Sequence, residues 1–378
     1  MREKIGLLIQ STAGFGGERV FNTIAREMAR SGTVEPLVLT IDERWSSAAA
    51  GMNIEQLSLR RSGRGPVAFL AAAEDLRVVI KKRRLAAVIS FMTYANLVGL
   101  LGVRLGGSRC RIVISEHTQT SILMAGVRRP LVMRAAVRAL YRSADAILAV
   151  SKAVQADLVT QLALPARTIS VVNNPVDVEA VLRGVEDAPA TERADVVDRS
   201  SFRLVTLGSL NSAKGHAYAV EALALLPPRY QLHVVGDGPL RADLEDQVAR
   251  LGLSDRVRFH GFLSNPYPLL AASDALVHPS LREGFGLAVV EAGVLGVPAI
   301  ASSVGGLPEL VPDPVPGRLV PPAEPASLAA AIEATVLLAP NRDSEVTRQR
   351  VRERFDPAEV SLRYENAALD RPSGRRPA

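Results

Sequence analysis

Short apolar or β-branched runs alternate with longer stretches in which apolar residues recur every three or four positions, from residue 5 nearly to the last residues. The short runs read as strands and the longer ones as amphipathic helices, and their alternation predicts parallel sheets with helices on both faces. In the first half, strands are predicted at Ile5–Ile9, Val34–Thr40, Ala87–Ser90, Arg111–Ser115, Ala146–Val150 and Ile169–Val172. Helices are predicted between them at Gly17–Ser31, Val67–Arg83, Asn96–Leu105, Pro130–Arg142 and Lys152–Leu162, and Asn173-Asn174-Pro175 closes the series with turn chemistry. A second series has strands at Phe202–Leu207, Gln231–Val235, Val257–Phe259, Ala275–His278 and Ala299–Ala301, with Gly317–Val320 as an edge strand. Its helices are predicted at Gly215–Leu226, Leu240–Leu251, Pro266–Ala272, Phe285–Leu295 and Ser327–Ala339, and a last helix at Ala358–Leu369 precedes a polar tail.

With 378 residues the chain exceeds the size of one ordinary core, which stops growing at about 250–300 residues, so two domains are expected. The stretch Asp177–Ser201 reads as a helix plus a linker, and the domain boundaries are a Rossmann-like domain at 1–180, a linker at 181–202 and a second Rossmann-like domain at 203–355. A helix at 356–370 is expected to pack back toward the first domain, and residues 371–378 are expected to be disordered. Two such sheets imply an interdomain cleft, with chemistry on the loops at the carboxyl ends of the strands. The single cysteine, Cys110, excludes a disulfide framework and any cluster built on several thiolates, and points to a reducing compartment. No apolar run approaches the roughly 20 residues that span a bilayer. The apolar stretch Ile5–Ile9 behind the basic start is shorter than the ~7–15 residues of a secretion signal core, so it reads as a first strand.

Charge is unevenly spread. Residues 1–180 hold 24 Lys+Arg against 14 Asp+Glu, and residues 181–378 hold 21 against 25, which together give the net +6. Clusters at Arg60–Arg64, Lys81–Arg84 and Arg128-Arg129 fit anionic headgroups or a phosphorylated substrate, or form a solvated face. With one Trp and 4% aromatic residues the stacking surfaces of a single-strand binder are scarce, so nucleic acid is not expected as a partner.

Three strand-to-helix loops carry candidate chemistry. Gly14-Phe15-Gly16-Gly17 follows the first strand; it is either an anion-binding turn at a helix N-terminus or a plain tight turn, and it does not match the dinucleotide fingerprint. Gly208-Ser209-Leu210-Asn211-Ser212-Ala213-Lys214-Gly215 places Lys214 where the next helix starts, as a pyrophosphate site would, or as a solvated lysine. The most informative loop is His278-Pro279-Ser280-Leu281-Arg282-Glu283-Gly284-Phe285-Gly286-Leu287, leading into a helix whose one charged residue is Glu291. A buried carboxylate needs donors, which sugar hydroxyls or a neighbouring arginine can supply. The loop thus offers main-chain N–H groups for a phosphate and two carboxylates for hydroxyls.

At these residues the sequence resembles the retaining glycosyltransferases of the GT-B fold, glycosyltransferase family 4, whose paired glutamates correspond to Glu283 and Glu291. Further similar segments are Gly236-Asp237-Gly238-Pro239, His260-Gly261-Phe262, Gly305-Gly306-Leu307-Pro308-Glu309, Ala144-Asp145 and Asn174-Pro175-Val176-Asp177. The resemblance implies an α/β GT-B architecture, two doubly wound parallel-sheet domains facing across a cleft, the first on the acceptor side and the second binding the nucleotide sugar. It implies Glu283, Lys214 and His117 as catalytic residues. Donor binding falls to Gly16, Gly17, Ser209, Lys214, Gly236, Gly238, Glu283, Gly284, Phe285, Gly286, Leu287 and Glu291. Ser209 departs from the family, which places an arginine there; Arg282 and Arg19 are the replacement cations at hand.

The expected activity is retaining, metal-independent hexosyl transfer from a nucleoside-diphosphate sugar, UDP-sugar favoured, with no cofactor. The expected acceptor is a membrane-associated glycolipid or lipid-linked saccharide of cell-envelope or polysaccharide synthesis. The expected location is cytoplasmic and peripheral on an anionic membrane surface held by the basic first domain. The alternatives are an NAD-type dinucleotide-dependent oxidoreductase and a sugar-nucleotide-binding pseudoenzyme, the latter motivated by Ser209.

Overall fold

The computed structural model describes residues 2–11, 16–42, 54–59, 65–106, 110–120, 130–188, 201–338 and 344–370. They divide into two compact units, one of residues 1–175 with 355–378 and one of residues 176–354.

The first unit is built on β1 (Lys4–Ile9), α1 (Gly16–Ser31), β2 (Glu35–Thr40), β3 (Glu55–Ser58), α2 (Pro66–Arg83), β4 (Ala87–Phe91) and α3 (Thr93–Gly106). It continues with β5 (Arg111–Glu116), α4 (Pro130–Tyr141), β6 (Ala146–Ala149), α5 (Lys152–Leu162) and β7 (Ile169–Val171). The strands form one sheet in the order β3-β2-β1-β4-β5-β6-β7, every pair parallel. Reversal of strand order beside β1 is the doubly wound arrangement, whose ligand sites lie beyond the carboxyl ends of the strands. The core strands are mostly apolar because both faces are covered; Ile5, Leu7, Leu8 and Ile9 are all fully buried.

The second unit opens with α6 (Val178–Glu186) and continues through β8 (Phe202–Leu207), α7 (His216–Leu225), β9 (Tyr230–Val235), α8 (Arg241–Arg250), β10 (Val257–Gly261) and α9 (Tyr267–Ala271). Then come β11 (Ala275–His278), α10 (Leu287–Val294), β12 (Ala299–Ser302), β13 (Gly317–Val320), α11 (Pro325–Leu338) and α12 (Glu345–Phe355). Its sheet order, β10-β9-β8-β11-β12-β13, repeats the same topology. The chain's last helix, α13 (Pro357–Leu369), belongs to the first unit and packs on α1, β4 and β5.

The division falls at Pro175/Val176 rather than after residue 180. The start of the predicted linker is helix α6, capped by Asp177 and seated on α9 and α10. Val178 and Val181 are buried there, and Asn265 Nδ2 donates to the carbonyl of Gly184 at 2.6 Å. The remainder of that linker, residues 189–200, lies outside the described residues, as do the expected disordered tail at 371–378 and the basic clusters at 60–64 and 128–129. Among the described residues no helix is long and apolar enough to cross a membrane.

Candidate active site

In the second unit, the loops that follow β8 and β11 meet. Asn211 caps a short 3-10 turn at Ser212–Lys214 by accepting from the Ala213 amide, and this sets Lys214 at the turn's end. Gly215 then takes φ +63°, and a Cβ there would stand 2.2 Å from the carbonyl oxygen of Pro279, so only glycine lets the two loops close. The amides of Leu281 and Arg282 both donate to Ala213 O, at 2.8 and 3.2 Å. This stitching delivers Lys214 Nζ to 2.7 Å from Glu283 Oε2.

Glu283 is held from several sides. His278 Nε2 lies 2.8 Å from the same oxygen, and because a carboxylate only accepts, the hydrogen belongs to the ring. Ser280 Oγ stands 3.4 Å from that oxygen and 3.2 Å from His278 Nε2. Burial alone would push the Glu283 carboxyl up, but the Lys214 ammonium and His278 outweigh it and hold the group well below the usual carboxylate range. Glu283 is therefore a fixed anion. A glycine-built contact backs it, since a Cβ on Gly305, at φ +54°, would stand 1.7 Å from Glu283 O.

Gly286, at φ +109°, is the N-cap of α10 and offers no side chain to satisfy the helix amides. The first turn's bonds run from Val289 and Val290 to Gly286 O, so the amides of Gly286 and Leu287 precede the intrahelical ladder, where an anion is favoured. Glu291 sits on α10, 4% exposed, and accepts from the Tyr267 hydroxyl at 3.3 Å. Phe285 is 2% exposed, buried in the core. Ser209, Gly236 and Gly238 lie on adjoining loops: Leu210 N donates to Asp237 O, Leu240 N to Leu210 O, and Gly236 N to Gly261 O. Arg282, a replacement cation suggested for the missing arginine, has its Nε buried without a partner.

The other predicted residues belong to the first unit. Gly16 and Gly17 open α1, while Gly14 and Phe15 lie outside the described residues. His117 follows β5, 8% exposed, with Nε2 3.0 Å from Ser115 Oγ and Nδ1 buried without a partner. Ser115 Oγ is in turn 2.7 Å from the Tyr364 hydroxyl of α13. Burial pushes the His117 ring down to about 4, so it is neutral at pH 7. Beside it Glu116 is fully buried and accepts from Tyr141, Thr93 and Asn96, as an internal brace.

Sequence reasoning assigned no role to His278, Ser280, Tyr267 or Tyr364. His278 and Ser280 precede Glu283 at positions −5 and −3, a signal available in the motif; Tyr364 is 249 residues from Ser115, and nothing local announces it.

Comparison with known proteins bears on the same two units. The family Glycosyltransferase Family 4 matches residues 16–180, and Glycosyl transferases group 1 matches residues 190–352. A 2-deoxystreptamine glucosyltransferase of Streptomyces kanamyceticus is 32% identical over 284 residues, covering 70% of this chain and 72% of that protein. The chain belongs to the family 4 glycosyltransferases. An N-acetylgalactosaminyltransferase of Campylobacter jejuni, named for an N-acetylgalactosamine-N,N'-diacetylbacillosaminyl-diphospho-undecaprenol substrate, is 26% identical over 294 residues, 76% of this chain and 78% of its own. The fold is matched by the Anabaena protein HepE, solved with UDP and glucose, with TM-score 0.81, 24% identity, and coverage of 97% of this chain and 100% of that one. This glycosyltransferase therefore has the GT-B fold, and the dinucleotide oxidoreductase alternative falls away.

Proposed function

We propose that this family 4 enzyme transfers a hexose, with retention at the anomeric carbon, from a UDP-sugar to a hydroxyl of a lipid-linked saccharide in cell-envelope or polysaccharide synthesis. The observation that carries the reading is the Lys214–Glu283 pair set beside the open amides of α10. The ammonium and the amides of Gly286 and Leu287 offer charge complementary to a diphosphate, while Glu283 and Glu291, fixed as acceptors, offer themselves to sugar and ribose hydroxyls. In the proposed step the bond between the anomeric carbon and the diphosphate oxygen breaks as the acceptor oxygen bonds to that carbon. The acceptor's proton leaves with the diphosphate. Lys214, rather than an obligatory metal, is proposed to neutralise the leaving charge, with Ser209 and Arg282 at its margin. Gly16, Gly17 and His117 are assigned to the transfer by resemblance.

The complexes of HepE with UDP make UDP-sugars the donors to test first. The undecaprenol-linked relative supports a lipid-borne acceptor. So does α4, where Leu131, Val132 and Met133 are 77%, 65% and 39% exposed beside Arg134 and Arg138, a pattern suited to an anionic bilayer surface.

The test is turnover of UDP-glucose, UDP-galactose and their N-acetylated forms with an undecaprenyl-diphosphate-linked saccharide, the anomer of the product read by NMR. Lys214→Ala removes a cation worth roughly 4 kcal/mol at 4 Å in an effective dielectric near 20, about a thousandfold in rate. Turnover within tenfold of the parent would take Lys214 out of this role. An inverted product would end the retaining assignment, and donor binding with neither transfer nor hydrolysis would mark a pseudoenzyme.

A further inference from the structure

Among the described residues, Glu283 takes its side-chain hydrogen bonds on one oxygen. Lys214 Nζ lies 2.7 Å from Oε2, His278 Nε2 2.8 Å and Ser280 Oγ 3.4 Å. A carboxylate oxygen has about two in-plane lone pairs, so the lysine and the histidine together fill Oε2. None of these bonds reaches Oε1, and the side chain is 12% exposed, which leaves Oε1 as the atom a ligand can meet.

The two principal donors differ in what holds them. Lys214 comes from the turn after β8 on a flexible stem, and its side chain is 25% exposed. His278 is the last residue of β11, in register with Ala301 of β12, and its side chain is 4% exposed. Ser280, fully buried, stands 3.2 Å from the same ring nitrogen. A buried ring carried by a sheet strand keeps its place, whereas a part-exposed lysine stem can swing.

This difference matters once a nucleoside diphosphate arrives. A diphosphate carries more negative charge than a single carboxylate, and the Lys214 ammonium is drawn toward it. Burial alone would push the Glu283 carboxyl up, and Lys214 and His278 are the groups that overcome it. With the lysine engaged elsewhere, Glu283 would be a buried anion short of donors beside incoming negative charge unless the histidine stays. We propose that His278 is a positioning residue that retains Glu283 Oε2 while Lys214 turns to the diphosphate, so that Oε1 stays directed at the hydroxyls of the donor sugar. The proposal rests on the glycosyltransferase reading above and adds to it the residue that keeps the carboxylate in place during the exchange. His278 acts through Glu283 and touches neither sugar nor phosphate.

Two measurements on the full chain test it. In the ligand-free protein the two donors are redundant, because His278→Leu and Lys214→Ala each leave Glu283 one partner. The double variant is expected to lower the second unit's Tm by about 5 °C or more beyond the sum of the single changes, and adding Glu283→Gln is expected to remove that excess. In the loaded protein the redundancy is gone. With UDP-glucose, UDP-galactose and their N-acetylated forms as donor probes, His278→Leu is expected to lower kcat about tenfold or more while the Kd for UDP stays within about twofold of the parent. His278→Gln, which can place an amide N–H near the position of Nε2, is expected to recover kcat to within about threefold. A merely structural histidine would move UDP binding and Tm together and would not be rescued by glutamine. Additive Tm changes, a kcat for folded His278→Leu within about threefold of the parent, or equal loss in the leucine and glutamine variants would overturn the proposal. A parent that binds UDP but turns over none of the sugar nucleotides would overturn the transferase reading instead, and the Tm cycle would still decide whether His278 anchors Glu283.

Discussion

His117 shows how burial sets chemistry at a single residue. The unfolded chain takes up a proton on this ring near pH 6.5, the folded protein only near pH 4, so between these values the unfolded state binds more protons. The contribution of the neutral ring is complete above pH 6.5 and is lost progressively as pH falls toward 4, about 3 kcal/mol at about 1.4 kcal/mol per pH unit. His216 of the second unit carries a similar displacement. His117→Gln is therefore expected to flatten, but not abolish, the fall in Tm between pH 7 and pH 4.5; an unchanged slope in differential scanning calorimetry would mean the ring is hydrated. Glu283 runs opposite in charge state. It stays ionised well below the ordinary carboxylate range, so an acid limb of activity above pH 4 is not expected from this group.

At the scale of elements, α13 is what completes the first unit. Tyr364 is 1% exposed, stacked on Phe91 and bonded to Ser115, while Glu365 accepts from Thr33 and Ser31 at the end of α1. Tyr364→Phe loses one buried hydrogen bond, about 1–2 kcal/mol, and is expected to lower the first unit's Tm by about 2–6 °C. Ending the chain at Phe355 is expected to remove that unit's cooperative transition while the second unit's remains; a single unchanged transition would contradict the packing. Most elements were legible because their strands are buried on both faces and read as short, mainly apolar runs. Two were not. β3 reads Glu55-Gln56-Leu57-Ser58, with no apolar face, and exists through its register with β2. α12 is dominated by charge, and its buried stripe, Thr347, Val351 and Phe355, is too thin to stand out beside Arg348, Arg350, Arg352 and Arg354. In the candidate site, the loop and helix positions of Glu283, Glu291 and Lys214 were legible from the sequence, while their roles rest on resemblance. The His278 and Ser280 contacts depend on how two loops close, which no one-dimensional pattern encodes.

Across the whole molecule, charge and exposed apolar surface point the same way. The first 180 residues carry the positive excess, and α4 presents Leu131 and Val132 to solvent on the same helix as Arg134 and Arg138. Flotation with phosphatidylglycerol vesicles is expected to recover the protein at low salt, to weaken as ionic strength rises, and to fail with phosphatidylcholine alone. Leu131→Glu with Val132→Glu is expected to abolish recovery without moving Tm, because both side chains are already in water; binding that survives the double change would place the membrane contact elsewhere. The position of α13 in the polypeptide has a biosynthetic consequence. Residues made after the whole of the second unit fill the hydrophobic face left open in the first, so the Tyr364 anchor beside His117 arrives only once the second unit has been synthesised. A chain that stops short of α13 should thus leave the first unit with its α1, β4 and β5 surface uncovered.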